Sequence, residues 1–485
     1  MKKNESAVNS VKTPPLWLAL VPIMFMVIVL PIGIMVYDAT PHVPLILTTI
    51  VAVIVVMSLG HSWESIEKRM LKTIALSLQA IVIILIIGAL VGLWLAAGIV
   101  PSMIYYGLDI LSPTFFLVAA CMISAVVSLA AGNSWAAAGT VGVALIGIGQ
   151  GLGVPLPMVA GAIISGVYFG DKMSPLSETT NLAPAIVGTN LFDHIRNIAW
   201  TTGPAFLIAL VLYLILGFKY SGSGSSMSEI ALIQNALSGH FVISPFLLIP
   251  PLFILVVLIF KIQAIPGLTF GAAMGAFCAL FVQGNTIGEV IEAIQFGFTA
   301  NTGTELVDEL LNQGGIEGVL SVVAFVIIAL AFGGVLEQGK ILETILSALV
   351  SKVKRTGSLI STTVATCYTT NIIGCEQYLS IVIPGRMYLN EYKKRGLHPK
   401  LLSRTLEDAG TMSSPLIPWT TCGIFMYSVL GVHPFQYAPY AFLAYTSGAM
   451  AILYGYLNIK ISRLPIEEQT EVTIEQNEEM SKANV

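Results

Sequence analysis

The chain has 485 residues, of which 55% are hydrophobic and only 10% are charged, and its mean hydropathy is +0.84. Soluble domains carry about a quarter charged residues, so this composition excludes an ordinary soluble domain and indicates an integral membrane protein. The net charge is -4, and the basic residues form short clusters between apolar runs. This pattern excludes a nucleic-acid-binding surface.

The first part of the chain contains several apolar runs long enough to cross a hydrocarbon core of about 30 Å. We expect a cytoplasmic N-terminus at residues 1–15 and a first transporter half at 16–218. A glycine beside polar residues at Ala131–Trp135 predicts a broken helix. The predicted segments of this half are spans at 16–36, 43–60 and 73–97, a connector at 98–112, a small-residue-rich segment at 113–153 and a span at 198–218.

The second part begins after a Gly- and Ser-rich stretch, and we expect a polar linker at 219–243 and a second transporter half at 244–461. An acidic stretch at 284–318 has no basic residue and is expected outside the cytoplasm as amphipathic helix and loop. The tail at 462–485 is acidic and is expected to be disordered. The predicted spans of this half are 244–260, 266–282, 320–336 and 436–458.

Basic clusters set the expected orientation. Under the positive-inside rule, the lysines near the N-terminus, the cluster at 68–72 and the pair Lys460 and Arg463 place both termini in the cytoplasm. The apolar stretch 357–384 has basic clusters on both sides, so it is expected to enter and leave the membrane by one face. We therefore predict a re-entrant hairpin that turns near residues 370–374, with each arm too short for a full crossing.

The most polar stretch inside the apolar part of the chain is Gly170–Asn181, which contains two carboxylates, a lysine, hydroxyls and an amide. Ionisable groups at membrane depth cost several kcal/mol each and are kept where they face a protein interior, a wet cavity or an ion path. An ion site is therefore the favoured interpretation. A hydrated interfacial loop that caps neighbouring helices is the alternative.

An internal repeat connects this stretch to the second half. The Met-Ser-Pro-Leu motif after Asp171 recurs with small insertions after Asp408, and Asn133 and Asn371 precede these acids by similar distances. The break at Asn133 lies in a stretch without basic residues, whereas the break at Asn371 is flanked by basic clusters. This opposite charge bias indicates an inverted repeat, and a chance match of short motifs is the alternative. The predicted fold is an all-α polytopic membrane protein: an inverted-repeat secondary transporter with re-entrant hairpins, broken helices and roughly 10–12 transmembrane segments.

The repeat predicts an oxygen-lined cation site, because prolines in broken helices free backbone carbonyls that join side-chain oxygens around a small hard cation. Asp171 is the first candidate acid at which a transported sodium ion and a proton compete, with Glu178 and Asp408 as further coupling acids. Glu376 is a weaker candidate, since a hydrated hairpin tip explains it equally well. The candidate cation-binding residues are Asn133, Ser134, Ser174, Ser177, Thr179, Thr180, Asn181, Thr370, Asn371, Glu376, Ser414, Thr420 and Thr421.

The stretch Gly170–Ala183, together with His194–Arg196 and Gly132–Trp135, resembles the NhaC family of bacterial sodium/proton antiporters. The likeness runs from about residue 16 to residue 461. It implies a multi-pass exchanger of the plasma membrane that moves cytoplasmic Na+ out against entering H+, with no cofactor besides the transported ions. A homodimer is among the assemblies that the sequence leaves open.

Members of the same family couple malate entry to lactate exit with sodium and protons, and the motifs do not separate the two types. A dicarboxylate requires positive charge near the site, and Lys172 is the one central candidate in the sequence. This favours inorganic cation exchange. A membrane enzyme is disfavoured because the sequence has no HExxH, GxSxG or Walker motif. A channel is disfavoured because the repeat lies within one chain.

Overall fold

The protein is built from α-helices joined by short turns. The structure, a computed structural model, describes residues 14–220, 227–259, 264–304, 307–308, 311–350 and 355–465. Within these ranges the only β-structure is one isolated bridge between Leu397 and Arg463. The predicted all-α fold is therefore confirmed. The predictions for the N-terminal lysines and for residues 466–485 of the acidic tail fall outside the described ranges.

The helices of the first half follow the apolar runs, but the predicted connector at 98–112 is a helix with a buried apolar face, and part of the predicted linker at 219–243 is also helical. The helices up to residue 240 are α1 (Leu16–Tyr37), α2 (His42–Ser58), α3 (Trp63–Leu76), α4 (Leu78–Ala96), α5 (Ile99–Ile110), α6 (Pro113–Ala131), α7 (Ser134–Ala137), α8 (Val143–Gly151), α9 (Leu156–Met173), α10 (Glu178–Val187), α11 (Leu191–Tyr220) and α12 (Met227–His240).

The remaining helices are α13 (Ile249–Ile259), α14 (Ala264–Phe281), α15 (Ile287–Gln295), α16 (Gly315–Gln338), α17 (Ile341–Val350), α18 (Thr356–Gly374), α19 (Gln377–Lys394), α20 (Pro399–Leu406), α21 (Thr421–Leu430), α22 (Pro434–Tyr437) and α23 (Phe442–Leu457). Two π-helical segments, Ala138–Gly142 and Glu407–Thr411, join α7 to α8 and extend α20.

Among the described helices, five are long and apolar enough to cross a membrane, namely α1, α4, α6, α11 and α16. Another apolar unit is bent by 95°, between Ile230–His240 and Pro245–Ile254. Large apolar side chains on outer faces are exposed, including Trp17 and Phe218. Such a surface is stable against lipid rather than water.

The two halves repeat the same series of broken helices. Helices α6 and α18 each have 19 residues and end at a left-handed residue, Gly132 in the first half and Cys375 in the second. A helical stretch follows each break. Later, the ten-residue helices α10 and α21 each end at a left-handed glycine, Gly188 or Gly431. The predicted repeat with broken helices in matching positions is therefore present.

The second-half hairpin turns slightly later than predicted. Its helices α18 and α19 have 19 and 18 residues, about 28 Å and 27 Å at 1.5 Å per residue, and neither is among the helices long and apolar enough to cross a membrane. Helix α19 continues past the apolar run as far as Lys394. The turn lies at Cys375, just beyond the predicted range 370–374, and its tip is buried in the protein.

Close backbone packing places α9 directly against α6. A Cβ atom added to Gly166 would lie 2.2 Å from the carbonyl oxygen of Cys121, and one added to Gly170 would lie 2.3 Å from that of Ala125. Small residues at such a contact let two helix backbones approach within a membrane. The hydroxyl of Ser128 also donates to the carbonyl of Val167 at 2.5 Å. The C-terminal end of α9 is therefore held beside the break at the end of α6.

Candidate cation site

A cavity of about 50 Å³ lies where the broken helices of the two halves meet. A single water needs roughly 10–15 Å³ of such space, so the cavity has room for a small cation with some of its water. Both halves contribute oxygen atoms to its wall. The lining residues are Ser77, Ala80, Ile83, Gly132, Asn133, Ser134, Trp135, Asp171, Ser177, Glu178, Thr179, Val326, Glu376, Gln377, Tyr378, Thr421 and Cys422.

Helix N-termini point toward this region because each break is followed by a new helix. Unpaired N–H groups at a helix start form a natural anion site. Here, side chains of the protein already accept hydrogen bonds from these groups. The capping residues and their donors are Asn133 with Ala136 N–H, Ser177 with Thr180 N–H, Glu376 with Tyr378 N–H, and Thr420 with Gly423 N–H.

Asp171 is the central acid of the first half. Its side chain is 6% exposed, and Asp171 lines the cavity together with Ser134 and Ser177. The Thr180 hydroxyl donates to the carbonyl oxygen of Asp171 at 3.3 Å, which fixes the start of α10 against the end of α9. The local sequence therefore brings a carboxylate and several hydroxyls to one point.

Glu376 is the acid that the second half contributes at its own break. It is 4% exposed, and one of its oxygens accepts a hydrogen bond from the Thr421 hydroxyl at 2.8 Å. The backbone N–H of Thr421 donates to the carbonyl of Cys375 at 3.1 Å, so the start of α21 is fixed against the hairpin tip. The interpretation of Glu376 as a hydrated tip residue does not describe this buried side chain.

Glu178 lies at the exposed rim of the cavity and accepts a hydrogen bond from the hydroxyl of Tyr378, which belongs to the other half. Within the described residues, no group of three or more His, Cys, Asp or Glu side chains is arranged as a metal site. A cation in this cavity would therefore depend on hydroxyl and carbonyl oxygens as well as on Asp171, Glu178 and Glu376.

Lys172 and Asp408 are neighbours of the cavity but do not line it. The ammonium of Lys172 lies 2.5 Å from a carboxylate oxygen of Asp408, and both side chains are fully buried. The Ser447 hydroxyl bonds to both, at 2.8 Å. The Ser-Pro-Leu motifs place Thr411, rather than Asp408, at the position of Asp171, because Thr411 and Asp171 each lie three residues before the motif's serine.

The other predicted ligands outside the cavity wall lie near the breaks, with Asn181 exposed and the rest buried, and most form hydrogen bonds that shape the backbone. Their contacts are Ser174 with Leu176 N–H, Thr180 with the carbonyls of Asp171 and Lys172, Asn181 with those of Pro175 and Ser177, Thr370 with that of Thr366, Asn371 with Gly410 and Ser413, and Thr420 with the carbonyls of Ser414 and Ile417.

Sequence reasoning missed several wall residues. Ser77 lies between the amphipathic helix α3 and the apolar helix α4, inside the predicted span 73–97, and no local signal marks it as a wall residue. Gln377 and Tyr378 follow Glu376, and Cys422 follows Thr421, each just inside a new helix. Helices broken in matching positions around a buried, oxygen-lined cavity define a polytopic secondary transporter.

Comparison with known proteins identifies the family. The model of the Na+/H+ antiporter family matches residues 166–459, which is more than half of the chain. The chain is 39% identical over 424 residues to the Na+/H+ antiporter NhaC of Alkalihalophilus pseudofirmus, covering 87% of this chain and 91% of that protein. The chain therefore belongs to the Na+/H+ antiporter family, and the resemblance found in the sequence is confirmed.

Relatives of similar identity have names that specify other substrates. The chain is 36% identical to the malate-2H+/Na+-lactate antiporter of Bacillus subtilis, covering 86% of this chain and 90% of that protein. It is 37% identical to the arginine/ornithine antiporter ArcD of Halobacterium salinarum, covering 95% of this chain and 96% of that protein. Sequence identity to these relatives therefore does not indicate which substrate this protein carries. The chemistry of the cavity has to distinguish between the candidates.

Proposed function

We propose that the protein is a secondary antiporter of the plasma membrane that exchanges cytoplasmic Na+ for external H+. The observation that carries this proposal is the charge of the cavity. Its wall contains the carboxyl groups of Asp171, Glu178 and Glu376, and among the described residues that line it there is no lysine, arginine or histidine. Carboxylate, hydroxyl and carbonyl oxygens are the ligands that hard cations prefer.

Competition between Na+ and H+ for buried carboxyl groups, of which Asp171 is the first candidate, couples the two fluxes. Removal from water disfavours the charged form of a carboxyl group, so a bound cation or a bound proton can each stabilise it. A site that holds one or the other, and that opens to the two sides in turn, carries Na+ in one direction and H+ in the opposite one. In this proposal the hydroxyls of Ser134, Ser177 and Thr421 complete the cation shell.

The two transporter halves of the proposal are residues 16–218 and 244–461, with both termini in the cytoplasm. The lengths and order of the helices around the two breaks support this division. Access to the cavity would alternate as one half moves against the other, because the wall includes residues from both.

Malate and lactate are disfavoured by the contacts around the cavity. Each capping side chain already accepts a hydrogen bond from one N–H of the helix that follows it, and the ammonium of Lys172 is held by Asp408 outside the wall. A dianion would then face three carboxyl groups. Arginine and ornithine are cationic and suit an acidic wall, but a cavity of about 50 Å³ favours a small ion.

Transport by purified protein in sealed vesicles tests the proposal. Proteoliposomes that contain a pH-sensitive dye receive, in turn, an inward gradient of Na+, K+, malate with internal lactate, or arginine with internal ornithine. Na+ alone is expected to drive proton exit from the vesicles. Exchange of malate for lactate or of arginine for ornithine, without proton movement driven by Na+ alone, would overturn the proposal.

A matched pair of variants ties the activity to the cavity. Asp171→Asn removes the central charge and is expected to abolish Na+-driven proton movement. Asp193→Asn makes the same chemical change at an exposed position in the first turn of α11 and is expected to retain wild-type exchange. Full activity of the Asp171→Asn protein would exclude Asp171 as the coupling acid.

A further inference from the structure

A second group of charged side chains is buried next to the cavity. Lys172, Arg404, Glu407 and Asp408 are all fully buried. Asp408 pairs with Lys172, and the guanidinium of Arg404 donates to the side-chain oxygen of Asn197 at 3.3 Å and to a backbone carbonyl. None of these contacts involves Glu407, and Nε and Nη2 of Arg404 have no hydrogen-bond partner among the described residues.

Glu407 is the buried carboxyl group of this cluster that has no ion-pair partner among the described residues. One of its oxygens accepts a hydrogen bond from the Thr411 hydroxyl at 2.7 Å, and the other has no hydrogen-bond partner there. A buried carboxylate with one neutral donor is strongly disfavoured relative to the uncharged acid. The observed contacts therefore fit a carboxyl group that holds a proton in this conformation.

The surroundings of Glu407 allow the proton to leave in another conformation. The charged or titratable groups that face it are Lys172 and Asp171 of α9, Asp408 on its own segment, and the thiol of Cys367 in α18. The Lys172 ammonium favours the ionised form, whereas the two aspartates oppose it. Glu407 also begins a π-helical segment, a local distortion that is frequent at functional sites.

Asp171 and Lys172 are consecutive residues of α9, so the cavity and the buried cluster are directly connected. Asp171 lines the cavity, while Lys172 reaches the pair with Asp408. A cation that binds Asp171 cancels one of the negative charges that Glu407 experiences and makes its ionised form less costly. Binding of Na+ in the cavity therefore favours release of the proton from Glu407.

We propose that Glu407 is a proton-binding site of the exchange cycle, separate from the cation cavity at Asp171. This inference rests on the proposed function. In the step, the O–H bond of Glu407 breaks, the proton passes to water on one side, and the Lys172 ammonium stabilises the remaining carboxylate. Glu407 takes up a proton from the other side after Na+ has left. The cavity and Glu407 then share the coupling between the two ions.

The experiment compares two fluxes in proteoliposomes. Exchange of labelled 22Na+ for internal Na+ requires the cavity but no proton, whereas Na+-driven proton movement requires both sites. Glu407→Gln is expected to keep Na+/Na+ exchange within about twofold of wild type and to lose Na+-driven proton movement. The matched control Glu391→Gln, at a partly exposed residue paired with Arg395, is expected to keep both fluxes.

Each outcome is decisive. Wild-type proton movement by the Glu407→Gln protein would show that Glu407 is a permanently neutral part of the core. Loss of both fluxes by a folded protein would place Glu407 in the cation site instead. If Glu407→Gln does not fold, Glu407→Asp is expected to retain proton movement with a shifted pH profile, and an unshifted profile overturns the inference. Wild-type protein without any Na+-driven proton movement would instead refute the proposed function.

Discussion

The buried pair between Lys172 and Asp408 gives a quantitative prediction. With 2.5 Å between the charged atoms, Coulomb's law at an effective dielectric constant of about 20 gives an attraction of about 7 kcal/mol. After Lys172→Met, Asp408 keeps the hydroxyl of Ser447 and can take up a proton, so the net loss is smaller. Breaking a fully buried pair costs about 3–5 kcal/mol, and we expect a decrease of this size in the free energy of unfolding.

The double variant Lys172→Met/Asp408→Leu separates the lost charge pair from general damage. Apolar side chains of similar size leave no buried charge without a partner, so the double variant is expected to recover most of the stability. Unfolding in mixed micelles with increasing SDS, followed by tryptophan fluorescence, measures all three proteins. Equal stability of wild type and Lys172→Met, or a double variant no more stable than the single one, would refute the reasoning.

The remaining predictions concern the cavity wall, a helix contact and an exposed helix cap. Thr421→Val removes a hydroxyl bonded to Glu376, so apparent Na+ affinity should fall about fivefold, which is about 1 kcal/mol, in a titration of Na+-driven proton movement; unchanged affinity would exclude Thr421 from the cation shell. Gly170→Ala places a methyl group against the backbone of α6 and should lower the free energy of unfolding by about 1–3 kcal/mol. A free energy of unfolding equal to that of the wild type would contradict this contact. Thr286 and Glu289 cap the start of α15, and the backbone N–H and hydroxyl of Thr286 hold the pKa of Glu289 below its usual value. The cap should therefore be intact when the pH is above the usual pKa of a glutamate, and it should weaken as the pH falls through the lowered pKa. Hydrogen exchange of α15, corrected for intrinsic rates, should then rise in acid, and a flat profile would contradict this.

Local signals made much of the fold and part of the site predictable from the sequence. Apolar runs predict helices because a segment in lipid has to form all of its backbone hydrogen bonds internally, and an α-helix does so. Breaks are marked by glycine, proline and capping side chains, and these signals group Asn133, Asp171 and Ser177 in the sequence. These residues belong to neighbouring breaks of the first half, so rules about local sequence are enough to identify them.

The second half was harder to interpret because its break has no glycine at the left-handed position. Cys375 occupies that position with φ of 56°. A non-glycine residue in this conformation is uncommon, so the sequence does not mark Cys375 as the residue at which the chain turns. The shared asparagine therefore aligned Asn371 with Asn133, whereas the structure places Glu376 in the corresponding position. The pairing of Lys172 with Asp408 joins residues far apart in the chain and depends on tertiary packing.

The glycine contact between α6 and α9 restricts how the transporter can open. Their backbones approach closely at Gly166 and Gly170, where an added Cβ atom would lie 2.2 Å and 2.3 Å from carbonyl oxygens of α6. We therefore expect the break at Gly132 and the carboxyl group of Asp171 to move together as one block. Any rearrangement that exposes the ion to a new compartment has to occur at the seam between this block and the second-half hairpin.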